Sequence, residues 1–304
     1  MRPLLPLLNA LSALTLTLAL PLTPAAHAAT EAPAPAQAPL QLSVYNAPAT
    51  SFHVNATLVT GAQDAVLIDA GFSRADALRI AARVLDSGKR LTTIVVSQAD
   101  PDYWFGVETL HALFPQAQVL SPAPVVEKIR GKMAGKLAYW GPKMGSNAPQ
   151  SPVLPQALVG DRLMLDGQAI EFRGTTGPLA HRPWVWIPSA RAVVGNIAVF
   201  GGMHVWTADT QSAAERAAWV AQLDEMAALQ PARVVPGHMA AGTPTDASTL
   251  AFTKGWLQSF EQQLGTAKTS GALVSAMQKA WPQVSEGALN LELGAKVNLH
   301  EMAW

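Results

Sequence analysis

The sequence predicts an α/β fold with sheet layers covered by helices. Three observations carry this reading. Strand-like runs occur in two groups, and each group is followed by helical segments. Hydrophobic residues make up 49% of the 304, enough for one large core. No repeat of fixed period divides the chain.

The elements follow in order. "LSVYNAP" and "FHVNATLVTG" alternate apolar and polar residues, as half-buried strands do. "AVLIDAG" is an almost continuous apolar strand that ends in Asp69 and Gly71. "SRADALRIAARVLDSG" opens on Ser73 as N-cap and stops at Gly88, so it reads as a helix. "LTTIVVS" is a buried strand; "SQADPDYWFG" is a polar turn after it, and "VETLHALFP" a helix. "QVLSP" is a further strand. Residues 125 to 150 read as a basic, partly helical segment followed by the loop-like "WGPKMGSNAPQ". "DRLMLDG", "QAIEFRG", "WVWIPSA" and "RAVVGNIAVF" are short strands with turn signals between them. "SAAERAAWVAQLDEMAALQP" has apolar residues at helical spacing, and "ARVVPGH" is a strand ending at His238. From about Thr245 the chain is mostly helical, with a break at Pro282.

The N-terminus has a secretory layout: Arg2, an apolar run, then small residues ending in Ala26-His27-Ala28. Residues 1–28 are expected to be a cleaved signal peptide and 29–39 an Ala/Pro-rich flexible leader. The folded domain is then 40–304, and the mature protein is expected in the periplasm or outside the cell, without membrane attachment. With 21 basic and 21 acidic side chains the formal net charge is zero, so charge does not point to nucleic acid or anionic lipid. There is no cysteine, so neither a thiolate nucleophile nor a thiolate ligand is available.

"NATLVTGAQDAVLIDAGF", the turn "SQADPDYWFG", "WVWIPSARAVVGNIAVF" and "ARVVPGH" occur in that order over roughly residues 41 to 240. Together they resemble the metallo-β-lactamase superfamily. The resemblance implies an αβ/βα sandwich with its site at one edge of the two sheets, extended here by C-terminal helices from about residue 245. The family's turn reads His-x-His-x-Asp-His, whereas this chain has Gln98, Asp100, Asp102 and Tyr103 at the matching positions. The family's third His falls near Pro178, with His181 three residues on. Asn196 replaces the bridging Asp, while His238 and Asp69 are kept.

The resemblance implies a metal-activated water acting on a small ester, lactone or amide. Two carboxylates and one imidazole, Asp100, Asp102 and His238, with Asn196 as a neutral oxygen, form an oxygen-rich set suited to at most one divalent ion (Zn, Mn or Fe). Asp102 would hold the ion and orient or deprotonate the water, and Tyr103 would donate to a developing oxyanion. Gln98, His181, His204 and Asp69 are further candidates. No organic cofactor is expected, and the partner is a small-molecule substrate. The alternative is a non-catalytic protein of the same fold that has lost its metals and uses the cleft for binding. Without an ion, Asp100 and Asp102 would crowd two charges together, which an Arg could relieve, Arg182 being one candidate.

Overall fold

Period-two packing along the strands produces the layers. The computed structural model describes residues 38–304. The first sheet has the order β1 (Gln41–Asn46), β2 (Asn55–Thr60), β3 (Asp64–Ile68), β4 (Arg90–Val95), β5 (Gln118–Ser121) and β6 (Gln156–Ala157). Its first three strands are antiparallel; from β3 to β6 pairing is parallel. The second sheet holds β7 (Arg162–Leu165), β8 (Gln168–Arg173), β9 (Trp184–Ile187), β10 (Ala192–Val194) and β12 (Arg233–Val234), in the order β12-β10-β9-β8-β7. A parallel ribbon of β11 (Phe200–Gly201) and β13 (His238–Met239) sets Phe200 opposite His238.

On β3, Val66 and Ile68 face the second sheet, where they pack with Val185 and Ile187 of β9 and Val194 of β10. The intervening Ala65 and Leu67 face outward onto Ala77, Ile80 and Val84 of α1 (Arg74–Asp86). β9 mirrors this: Trp184 and Trp186 point the other way, into a cluster with Trp219, Trp256 and Phe260. The outer layer of the first sheet is α1, α2 (Pro101–Trp104), α3 (Val107–Leu113) and α4 (Ala123–Met144). That of the second is α5 (Ala213–Ala228), α6 (Ser248–Leu264), α7 (Ser270–Ala280) and α8 (Ala288–Asn298). The expected αβ/βα sandwich with C-terminal helices is therefore present.

α1 starts where the sequence places it. Ser73 and Asp76 form a reciprocal capping box. Asp76 also accepts from Tyr45 Oη at 2.7 Å and Ser51 Oγ at 2.6 Å, which ties β1 and the following turn to the helix start. Burial pushes the Asp76 carboxyl up, but the hydroxyls of Ser51, Ser73 and Tyr45 more than offset this and hold it below the usual range.

Several local expectations are corrected. The strand read from Phe52 begins only at Asn55, because Phe52 and His53 turn through left-handed backbone at φ 58° and 55°. The segment read as a loop from Trp140 begins with the last turn of α4, through Met144, which carries Pro142 inside it; a short 3-10 turn at Gly145–Asn147 follows before the chain becomes irregular. Trp140 holds the last turn of α4 by packing edge-on against Phe52 and Phe72, at 5.5 and 5.1 Å between ring centres. Here tertiary packing outweighs the local signal of Gly141-Pro142. "ARVVPGH" is two short strands, β12 and β13, split at Pro236-Gly237. β6 had no readable signal. The expected signal segment and most of the leader lie outside the described residues, and Leu40, just past the leader, is buried.

Candidate active-site cleft

The carboxyl ends of β3 and β4 and the entry and exit of the β9–β10 hairpin deliver the polar residues to one edge of the sandwich. Such strand ends are where open α/β sheets place their ligands. Asp69 follows β3 in left-handed backbone at φ 67°. Its Oδ1 accepts from the Ser97 amide at 2.7 Å and its Oδ2 from Ser97 Oγ at 2.7 Å. Asp69 therefore fixes the turn after β4. Burial raises its carboxyl to about 7, with the Ser97 bonds opposing.

That shift predicts a pH dependence. Between the carboxylate's unfolded value near 4 and its folded value near 7, the native state binds more protons than the unfolded state. Stability from Asp69 is thus full below about pH 4 and is lost as pH rises through 7, on the order of 4 kcal/mol in all. Urea unfolding of wild type and Asp69→Asn between pH 4.5 and 7.5 should show the wild type's advantage shrinking as pH rises. A gap independent of pH would contradict the buried, raised carboxyl.

Beyond Ser97 the predicted residues divide into two groups. Asp102, Tyr103, Asn196 and His238 form a buried network. His238 Nδ1 lies 2.8 Å from the Phe52 carbonyl, which can only accept, so the proton of the neutral ring is on Nδ1 and Nε2 is bare. Nε2 lies 3.5 Å from Asp102 Oδ2. Burial lowers His238 to about 4, and burial together with the nearby charge of Asp100 raises Asp102 well above its ordinary value. At neutral pH the His238 ring is therefore uncharged. Phe200 stacks on the His238 ring at 5.2 Å, and Tyr103 meets it edge-on at 5.6 Å.

The second group lines a narrow cleft of about 20 Å³, the space of one or two waters. Gln98, Asp100, His181 and Arg182 lie here with Lys128, Lys132, Ile197 and Asp209. Lys128 and Lys132, with Lys136, repeat every four residues along one face of α4. Lys136 Nζ is 3.9 Å from Asp100, and Lys132 Nζ is 3.8 Å from Asp209. Burial and the Asp209 charge raise Asp100, and the Lys136, Lys132 and Arg182 charges oppose this. Burial also pushes Asp209 up, but the indole N–H groups of Trp206 and Trp304 more than offset it and hold Asp209 low. Burial takes His181 down to about 4, so it is neutral. Arg182 is close enough to act on Asp100, as the sequence suggested. Lys128, Lys132 and Asp209 were not singled out from sequence; the four-residue lysine spacing was the available signal.

The metal expectation is tested by these donors. A mononuclear site needs an ionised carboxylate, a bare imidazole nitrogen and at least one further donor. Asp102 and His238 supply two. The Asn196 amide is used at both ends, Nδ2 donating to the Val235 carbonyl at 3.0 Å and Oδ1 accepting the Val199 amide at 2.9 Å. Tyr103, fully buried, donates its hydroxyl to the Asn196 carbonyl at 3.1 Å, so it is not free to serve an oxyanion. Gln98 donates to the Pro183 carbonyl at 2.7 Å. Asp100 faces the lysines. His204 packs against α6, where its Nδ1 accepts the Trp256 indole N–H at 3.1 Å. Among the described residues no group of three or more His, Cys, Asp or Glu gathers as a metal site. The residues present do not fit the family's ion.

The two sheets, their helical covers and a site at the strand ends define an αβ/βα sandwich protein. A sequence model of the metallo-β-lactamase superfamily matches residues 49–238, and the chain belongs to that family. Solved structures agree on the fold. A metallo-β-lactamase family protein from Thermus thermophilus is 17% identical, with a TM-score of 0.54 over 86% of this chain and 93% of its own. A β-lactamase domain protein from Burkholderia ambifaria is 14% identical, with a TM-score of 0.57 over 86% and 84%. An inverting sec-alkylsulfatase from Pseudomonas sp. is 14% identical, with a TM-score of 0.54 over 82% of this chain and 47% of its own. Comparison with curated proteins gives no match.

Proposed function

We propose that this chain is a metal-independent member of the superfamily that binds a small molecule at the edge cleft. One observation carries the reading: residues at the family's ligand positions are committed to internal hydrogen bonds. Asn196 and Tyr103 bond within the backbone of their own site, and Gln98 bonds to Pro183. Chemistry through a bound ion then has no complete donor set, and the cleft keeps a binding role. The hydrolase reading is favoured by a separate observation: Asp102 Oδ2 and His238 Nε2, 3.5 Å apart, are close enough to share one ion.

Asp102→Asn separates the two. Asn matches Asp102 in size and burial disfavours a charge at this position, so in the metal-independent protein the amide should move the unfolding midpoint by no more than about 3 °C, with or without chelator. A chelator that lowers the wild-type midpoint and leaves the variant's unchanged would replace this reading with the hydrolase.

Export belongs to the same proposal. It is supported by the Ala26-His27-Ala28 sequence; among the described residues no helix is long and apolar enough to cross a membrane. Intact mass of the chain recovered from its producing cells should place the mature start at Ala29. A recovered chain that keeps Met1 would contradict it.

A further inference from the structure

We propose that the cleft between α4 and the loop before β9 binds the oxyanion head of a small molecule, a carboxylate or phosphate, with Arg182 as its anchor. The proposal rests on the metal-independent reading above and names the ligand class. Arg182 occupies the loop that carries the third His in the family. It is 4% exposed. Its backbone holds it in place: the amide donates to the Leu179 carbonyl at 2.7 Å, and the carbonyl accepts from Gln222 at 2.9 Å. The guanidinium lies over the Trp219 ring at 4.3 Å.

The head group is only partly used. Nη2 makes one long contact, 3.4 Å to the Ile197 carbonyl, and Nε has no hydrogen-bond partner. The nearby carboxylates Asp100 and Asp209 act on the guanidinium through their charge, but their closest partners are other groups. Asp209 accepts the indole N–H groups of Trp206 at 2.7 Å and Trp304 at 3.0 Å and lies 3.8 Å from Lys132; Asp100 lies 3.9 Å from Lys136. Four cations, Lys128, Lys132, Lys136 and Arg182, thus surround two carboxylates. A buried guanidinium with an unmet N–H is costly. A compact oxyanion seated on the guanidinium gives it a charge-matched acceptor in the fork geometry that Arg offers and Lys does not. The small cleft volume admits only the leading oxygens of the head group, with the rest of the molecule outside; whole-ligand pockets are many times larger.

The test uses the purified mature chain, before and after chelator treatment, with metal content followed in parallel. Inorganic phosphate and acetate are titrated against chloride at matched ionic strength, reading the unfolding midpoint and binding heat. The expected result is a saturable response to at least one oxyanion that survives chelation. It should disappear in Arg182→Met. Because that variant also loses a buried contact and with it some stability, the double variant Lys128→Gln/Lys132→Gln, at half-buried positions on α4, is measured too and should fold normally with binding weakened roughly tenfold. No saturable response from the metal-free chain would overturn the proposal, as would equal binding by wild type and the double variant. Stoichiometric metal released by chelator, with anion binding retained, would sink the metal-independent reading and leave the anion site standing. Anion binding lost together with released metal would end both.

Discussion

Gly237→Ala is expected to remove most of the protein's stability, although it adds a single methyl group. A Cβ at this position would lie 2.1 Å from the Asn196 carbonyl oxygen and 2.5 Å from Tyr103 Oη. Neither neighbour is free to retreat. The Asn196 carbonyl accepts the Tyr103 hydroxyl, and the Asn196 amide is held at both ends. Gly237 cannot move either: its amide donates to Val199 and its carbonyl accepts Asn55, both at 2.9 Å. The glycine is required for close approach of two backbone segments, one of the large-effect mechanisms. A loss of roughly 3–5 kcal/mol in denaturant unfolding is expected. A loss below about 1 kcal/mol would show that the buried network is looser than its hydrogen bonds imply.

Trp219→Ala is the second large effect. The indole is fully buried, donates to the Ala198 carbonyl at 2.7 Å and supports the Arg182 guanidinium on its face. Truncation leaves a cavity, an unmet carbonyl and a buried cation without its aromatic partner. Large-to-small changes of this kind cost roughly 3–5 kcal/mol, and the cation–π contact adds about 1–2 kcal/mol where water is excluded. Trp219→Phe keeps a ring face and should recover much of the loss. A double-mutant cycle with Arg182→Met isolates the contact, and a coupling near 1 kcal/mol is expected. Additive effects would mean that the guanidinium does not depend on the indole.

The layered fold could be read from the sequence because strand period, capping residues and turn residues agree along most of the chain. "AVLIDAG" is apolar at every strand position because β3 is covered on both faces. Ser73 marked the start of α1 by a local rule, and the structure adds Asp76 as its capping partner. Local rules failed where distant packing decides. The Trp140 contacts with Phe52 and Phe72 keep Pro142 inside α4, and the left-handed turn at Phe52 and His53 is stabilised by what it joins. The site could be read as a location but not as a set of contacts. Asp100, Asp102, Asn196 and His238 do arrive at one sheet edge. Residue types alone do not show that Asn196 and Tyr103 spend their polar groups on backbone, or that Asp100 turns toward α4. Arg182 was legible only as a neighbour for crowded carboxylates. Its seat on Trp219 depends on a helix 37 positions further along the chain.

Elemental analysis of the wild-type chain tests the central claim most directly. The protein is to be produced with zinc, manganese and iron supplied and purified without chelator. Metal independence predicts clearly less than one equivalent of any divalent metal per chain, and an unfolding midpoint that chelator leaves unchanged. One or more equivalents of retained metal, with a midpoint that falls on chelation and recovers on readdition, would contradict it.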